Sequence, residues 1–323
     1  MNVFLTFDIE VWCGGWKDLD LNFPKSYKRY VFGDSDHGEF ALPKTLEILQ
    51  QHGLQAVFFV EPLFAARFGR EYLFTIVEMI RSHDFEIQLH LHPEWIDEIT
   101  PPVIENSNVK RQHLCYYTEE EQYALVHTGL DLLREAGVHT ISAFRSGSFA
   151  VNKDTFLAIQ KNGIFIDSSV NRSLSWSAAD LGPLRECADH FCTLDIDVYP
   201  MTVFIDGFGR KRHAQIGACS FTEMRDALLS AFSLGYQSFV ILSHNFEMLK
   251  PGSSEPDFIV ERRFQELCKF LQKNNDKFKV IGFNDTPREE KDYGNSCLPN
   301  INVKKTSTVL RLYEQTMRRL NVQ

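Results

Sequence analysis

The sequence predicts an α/β protein built on parallel strands. Short runs rich in Val, Ile and Phe alternate with longer amphipathic stretches, as repeated βα units do. The irregular polar segments, 13–37, 97–118, 171–189, 206–219 and 245–257, each follow a strand candidate, as connections at the carboxyl edge of a parallel sheet do. At 323 residues, the chain accommodates a barrel of seven or eight strands better than an open sheet.

The strand candidates, in order, are 3–7, 56–60, 85–91, 140–144, 164–167, 192–198, 238–242 and 279–283. The best local apolar run, 238–242, Ser-Phe-Val-Ile-Leu, is strand-sized. Between the strands lie amphipathic helix candidates at 39–52, 63–82, 119–135, 153–161, 222–234 and 256–272. No repeat or low-complexity tract interrupts them. Residues 1–284 therefore read as one barrel, and 285–323 as a polar connector with a last basic helix near 308–320, packed on it.

Charge and cysteines narrow the function classes. With 34 Lys and Arg against 43 Asp and Glu, the net charge is −9, the wrong sign for a protein whose main partner is a phosphate backbone. No apolar stretch reaches the roughly 18 residues that span a bilayer. The first residues, Met-Asn-Val-Phe-Leu-Thr-Phe-Asp, carry no basic leader and read as a buried strand. The seven cysteines, at 13, 115, 187, 192, 219, 268 and 297, are scattered without a C-x-x-C pair, as in reduced cytoplasmic proteins.

Four strand ends carry groups with chemistry. The first ends in Asp8-Ile-Glu10, two carboxylates on one side of an extended chain. The third ends in His90-Leu-His92-Pro-Glu94-Trp95, where the H-x-H spacing turns both imidazoles the same way and lets them ligate one divalent ion. Arg145 ends the next and suits a buried carboxylate partner. Ser243-His244 ends 238–242 with a candidate acid or base. Taken singly, each has a structural alternative: a helix cap for the acids, hydrogen-bonded loop histidines, a salt-bridge arginine and a core histidine.

In this order the four features resemble the polysaccharide deacetylase family, carbohydrate esterases with a NodB-like domain and a distorted (β/α) barrel. Thr6-Phe-Asp8-Ile-Glu10 is similar to its T-F-D-D motif with one residue inserted between the acids. Segment 56–60 is similar to its second strand, and Glu86-Ile-Gln-Leu-His90 to the lead into its histidine motif. Phe144-Arg145, Ile166-Asp167-Ser168-Ser169 and Leu242-Ser243-His244 match later motifs, so the resemblance covers roughly 3–284. The chain departs from the pattern where Glu94 stands four after His90, where Glu10 replaces the second Asp, and where the arginine motif lacks its proline. Its D-x-E and H-x-H-P-x-W form resembles a branch associated with bacterial surface polysaccharides.

The resemblance implies a metal-dependent deacetylase of an amino sugar in O-antigen or capsule type biosynthesis. Asp8 would be the base, Arg145 its partner and His244 the acid. Glu10 and His90 would hold a divalent ion, Zn2+ by preference, with His92 or Glu94 as third ligand. His92 is favoured because Pro93 ends the regular strand, leaving Glu94 to orient an imidazole. Trp12, Trp16, Trp95 and Trp176 lie near strand ends, where aromatic faces suit a sugar ring or anchor loops. The expected substrate is a sugar nucleotide, a lipid-linked sugar or an oligosaccharide. An amidohydrolase or PHP-type phosphoesterase and a catalytically silent carbohydrate-binding protein are the alternatives; H-x-H on the third strand, after a carboxylate pair, argues against the first two.

Overall fold

The computed structural model describes residues 1–105, 107–286 and 298–320. Along the chain run β1 (Asn2–Ile9), α1 (Leu19–Tyr27), β2 (Asp34–Ser35), β3 (Gly38–Glu39), α2 (Leu42–His52), β4 (Val57–Val60), α3 (Phe64–Phe68), α4 (Arg70–Arg81), β5 (Glu86–Leu91), α5 (Glu119–Glu135), β6 (Ala143–Ser146) and α6 (Lys153–Lys161). There follow β7 (Ile166–Asp167), β8 (Phe191–Thr193), β9 (Ile196–Val198), β10 (Val203–Ile205), β11 (Lys211–His213), α7 (Phe221–Ser233), β12 (Ser238–His244), α8 (Phe258–Lys273), β13 (Lys279–Val280), β14 (Ile301–Asn302) and α9 (Lys305–Leu320). They form two compact units, one of Met1–Ala56, Phe204–Val280 and Asn300–Gln323, the other of Val57–Val203 and Ile281–Pro299.

In the first unit, β1 pairs in parallel with β12 from Asn2 opposite Ser238 to Asp8 opposite His244, and with β13 at its start. Val3, Phe4, Leu5 and Phe7 of β1 are all buried. A strand covered on both faces has no polar side to show, hence an apolar run broken only by Thr6, itself buried and donating to the Ile241 carbonyl at 2.7 Å. The Phe7 ring meets Phe264 of α8 edge-on at 5.6 Å. Ser220 and Glu223 close a capping box on α7, and Asp257 accepts from the backbone of Ile259 and Val260 to start α8.

The last helix, α9, is tied to this unit by buried polar bonds. Arg311 donates to Glu223 at 3.0 Å and to Asp206 at 3.1 Å, Arg263 donates to Glu314 at 2.7 Å, and the Ser307 hydroxyl reaches Asp226 at 2.6 Å. It begins at Lys305, three residues before the expected start. Residues 287–297 of the expected connector, Cys297 among them, lie outside the described residues.

In the second unit, β4, β5, β6, β7 and β9 pair in parallel, and β8 runs antiparallel on β9. Capping boxes at Thr118 and Asn152 start α5 and α6, the helices that carry the chain from β5 to β6 and from β6 to β7. Two expected elements are each divided. The helix at 63–82 breaks at Gly69, whose φ of +119° is a conformation L side chains rarely adopt and where a Cβ would meet the Glu71 carboxylate. The strand at 192–198 folds into a hairpin, with Leu194 and Asp195 at φ of +50° and +57°, the backbone sign of a tight primed turn. In the first unit, α1 forms within 13–37, where the sequence predicts an irregular segment.

Among the described residues, no helix is long and apolar enough to cross a membrane.

The Arg311 pairs yield a stability prediction. Removing one partner of a buried ion pair strands the others, at a cost of about 3 to 5 kcal/mol. Arg311→Ala is therefore expected to lose about that much in urea unfolding, and a loss below about 1 kcal/mol would show that α9 docks without these pairs.

Candidate active site

The carboxyl ends of β1 and β12 bring Asp8, Glu10 and His244 together. Asp8 and His244 are register partners, and Asn245 stitches the following turn. Its backbone donates to the Asp8 carbonyl at 3.2 Å, its side-chain carbonyl accepts from Glu10 N at 3.2 Å, and its amide donates to the Glu10 carbonyl at 3.2 Å. Asp8 and Glu10 are buried. Glu10 Oε1 accepts from Trp12 Nε1 at 2.8 Å and lies 3.7 Å from His244 Nε2.

Glu247 governs His244 from its other side. The carboxylate accepts from His244 Nδ1 at 2.8 Å, from Gln215 Nε2 at 2.5 Å, from the backbone of Gly217 at 2.5 Å and from the Ser243 hydroxyl at 3.3 Å. A Cβ at position 217 would sit 2.6 Å from that carboxylate, so a glycine is needed for the approach. Burial works against a charged imidazole, but the hydrogen bond to Glu247 and the charges of Glu10, Glu247 and Asp8 outweigh it and hold His244 up at about 9. His244 is thus a cation at neutral pH and a ready proton donor. Because its folded value lies above the ordinary 6.5, the stabilisation it brings is complete below that pH and is lost as pH rises through about 9.

In the other unit, β5 and β6 set His90 opposite Arg145. His90 Nδ1 lies 2.8 Å from the Arg145 carbonyl oxygen. A carbonyl can only accept, so Nδ1 carries the proton and the lone pair sits on Nε2. His92 Nδ1 lies 3.2 Å from Glu94 Oε2, an acceptor that favours the same tautomer there. The two rings stand edge to face, 4.8 Å apart. Pro93 opens a 3-10 turn, Pro93–Glu98, which ends the strand and brings Glu94 back beside His92. Gly147 lets the Arg145 strand turn closely past, since a Cβ there would lie 2.7 Å from the His92 ring.

Arg145 is fully buried. Its Nε donates to the Ser168 carbonyl at 3.1 Å, its Nη2 to Ser168 Oγ at 3.0 Å, and its guanidinium lies 4.2 Å over the Phe59 ring. Nearby Asp167 is pushed up to about 7 by burial, against the pull of Ser169 and of the Arg145 charge.

The tryptophans part company. Trp12 orients Glu10, Trp16 is half-buried, and Trp176 is half exposed, donating to the Ser148 carbonyl at 3.3 Å. Trp95 is 3% exposed and packs edge-on against Phe64 and Phe68. Its ring anchors the turn after β5.

Among solved structures, the chain is similar to a protein from Mycobacterium smegmatis named as a polysaccharide deacetylase, at 18% identity and a TM-score of 0.55, over 91% of this chain and 94% of that one. The chain has the polysaccharide deacetylase fold. It is also similar to a 4-alpha-glucanotransferase from Thermococcus litoralis, at 11% identity and a TM-score of 0.52, over 88% and 40% of the two chains. A family 4 carbohydrate esterase from Streptomyces lividans matches at 14% identity and a TM-score of 0.43, over 86% and 91%. No family model and no curated protein matches. Since a deacetylase and a transferase name share one fold, the reaction must be argued from the site residues.

On this deacetylase fold, the sequence reading missed Glu247, Asn245 and Glu61. Glu247 stands three residues beyond His244, a spacing that was there to be read. Glu61 follows β4 directly, is fully buried and accepts from the backbone of Leu63 at 2.9 Å. Burial raises it to about 8, against the charge of His92.

Glu247 yields a titration prediction. In metal-free protein, proton NMR should show His244 releasing its proton near pH 9, and Glu247→Gln should move that release down toward 6.5. An unchanged value would take Glu247 out of this role.

Proposed function

We propose that the protein is a metal-dependent deacetylase that hydrolyses the N-acetyl group of an amino sugar, in the cytoplasm, during surface polysaccharide biosynthesis of O-antigen or capsule type. The observation that carries this reading is the pair of second-nitrogen bonds, His90 Nδ1 to the Arg145 carbonyl and His92 Nδ1 to Glu94. Ligand histidines are oriented in this manner, with Nε2 directed to the ion and Nδ1–H held behind.

The donor set fits a divalent ion. As the motif resemblance implies, Glu10, His90 and His92 would hold it, a carboxylate and two imidazoles that suit Zn2+, while Glu94 orients His92. When bound, such an ion lowers the pKa of its water and polarises the amide carbonyl. Asp8 would take the water's proton. His244 would deliver a proton to the departing amine nitrogen, without which nitrogen leaves poorly. Glu247 holds that ring in place and charged. The products are acetate and a free amino sugar.

The test is acetate release from N-acetylated sugars by metal-loaded protein, compared with chelated protein. Metal binding without release from any such sugar would favour a silent carbohydrate-binding protein instead.

Two sets of variants check the roles. Asp8→Asn should keep its metal and lose activity by about 10² or more. His92→Ala should abolish tight metal binding, whereas Glu94→Gln should weaken it only by about 10-fold to 100-fold. The opposite ranking in calorimetric titration would make Glu94 the ligand.

A further inference from the structure

Beside His244 and Glu247, within the first unit, lies a cleft of about 420 Å3, large enough for a substituted sugar. Its lining opposes the charge of the chain. The protein carries −9 overall, yet Arg29, Lys250 and Arg318 line this cleft against one acid, Glu247. That acid is committed to four donors, from Gln215, Gly217, Ser243 and His244, and Asp257 is paired with Arg318, so neither acid is offered to Arg29.

Arg29 is the most informative of them. Its Nε donates to the Ser253 carbonyl at 3.1 Å and its guanidinium lies 4.9 Å over the Tyr30 ring. Those two contacts fix the side chain. Among the described residues no carboxylate pairs with it, and its two terminal nitrogens have no acceptor. Arg318 is held on the same cleft by Asp257 at 2.6 Å and by the Gly217 carbonyl at 2.8 Å. A pre-oriented guanidinium with open donors suits a phosphate. Tyr30 and Phe246, packed edge to face at 5.0 Å, add aromatic wall for a sugar ring.

We propose that this cleft takes the phosphate of a substrate whose amino sugar is phosphorylated at its anomeric oxygen, with Arg29 as the principal phosphate contact. The inference rests on the deacetylase reading, in which His244 protonates the amide nitrogen. In a 2-acetamido sugar the anomeric oxygen is carried by the adjacent ring carbon, so a phosphate there enters the space around His244. The same chemistry is offered by a nucleotide-linked sugar and by a lipid diphosphate-linked sugar.

Equilibrium binding decides it, read in the Asp8→Asn protein with metal bound so that turnover does not intervene. The probes are N-acetylglucosamine 1-phosphate, its uridine diphosphate ester, its polyprenyl diphosphate ester in detergent micelles, inorganic pyrophosphate, and the neutral methyl glycoside. At least one phosphorylated sugar should bind 10-fold or more tighter than the methyl glycoside, and less tightly as salt rises. Arg29→Ala should abolish the preference and Arg29→Lys should restore part of it, with neutral-sugar binding unchanged in both. A preference for the nucleotide ester identifies that source; one confined to the micellar ester identifies the lipid. Equal binding of charged and neutral sugars, a preference untouched by Arg29→Ala, or no binding of any phosphorylated probe overturns the proposal. Acetate release in wild type is scored separately, so a failed subsite and a failed reaction are told apart.

Discussion

Parallel pairing in register is the constraint on which the rest depends. A side chain at a strand end has no freedom to choose its neighbour, because the hydrogen-bond ladder has already done so. The β1 and β12 ladder ends with Asp8 beside His244, and the β5 and β6 ladder sets His90 beside Arg145. A slip of one residue in either ladder would turn an entire set of side chains to the opposite face. The buried strands resist such a slip, since it would also take Phe4 or Leu89 out of the packing that fits it. Packing far from the chemistry thus holds the chemistry in place.

Much of this was legible in the sequence, for a physical reason. Strands buried on both faces leave short, nearly continuous apolar runs, so 3–7, 56–60 and 238–242 identified themselves. The histidine pair and the two acids were visible because they sit at such ends. Less visible were features set by backbone sign or by tertiary approach. Gly69 reads as one more small residue in an amphipathic stretch, and Leu194-Asp195 carries no glycine to announce its turn. Glu247 looked like an ordinary loop acid, since its four donors come from segments about 30 residues away as well as from its own turn.

Burial of charge is the recurrent cost of this architecture. Asp8, Glu10, His90, His92, Glu94 and Arg145 all lie out of water, where an isolated charge is expensive. The chain offsets this with dense hydrogen bonding: Arg145 on Ser168, Glu247 on four donors, Arg311 between two carboxylates. A buried network of this kind adds little net stability over an apolar core, but each member left without its partner is heavily penalised. Single substitutions among these residues are therefore expected to act on fold and on site together, and the conservative amide or lysine changes are the ones that separate the two.

The closeness of Gly147 to the His92 ring has a further meaning for how this sequence can drift. Ordinary surface positions vary independently, but these two share one volume. Any larger residue at 147 must be answered by a smaller one at 92, and a smaller one at 92 forfeits the imidazole. Neutral change is closed off at both positions at once, so a lineage keeping the histidine must keep the glycine, and a lineage losing the glycine announces that its histidine no longer serves the same purpose.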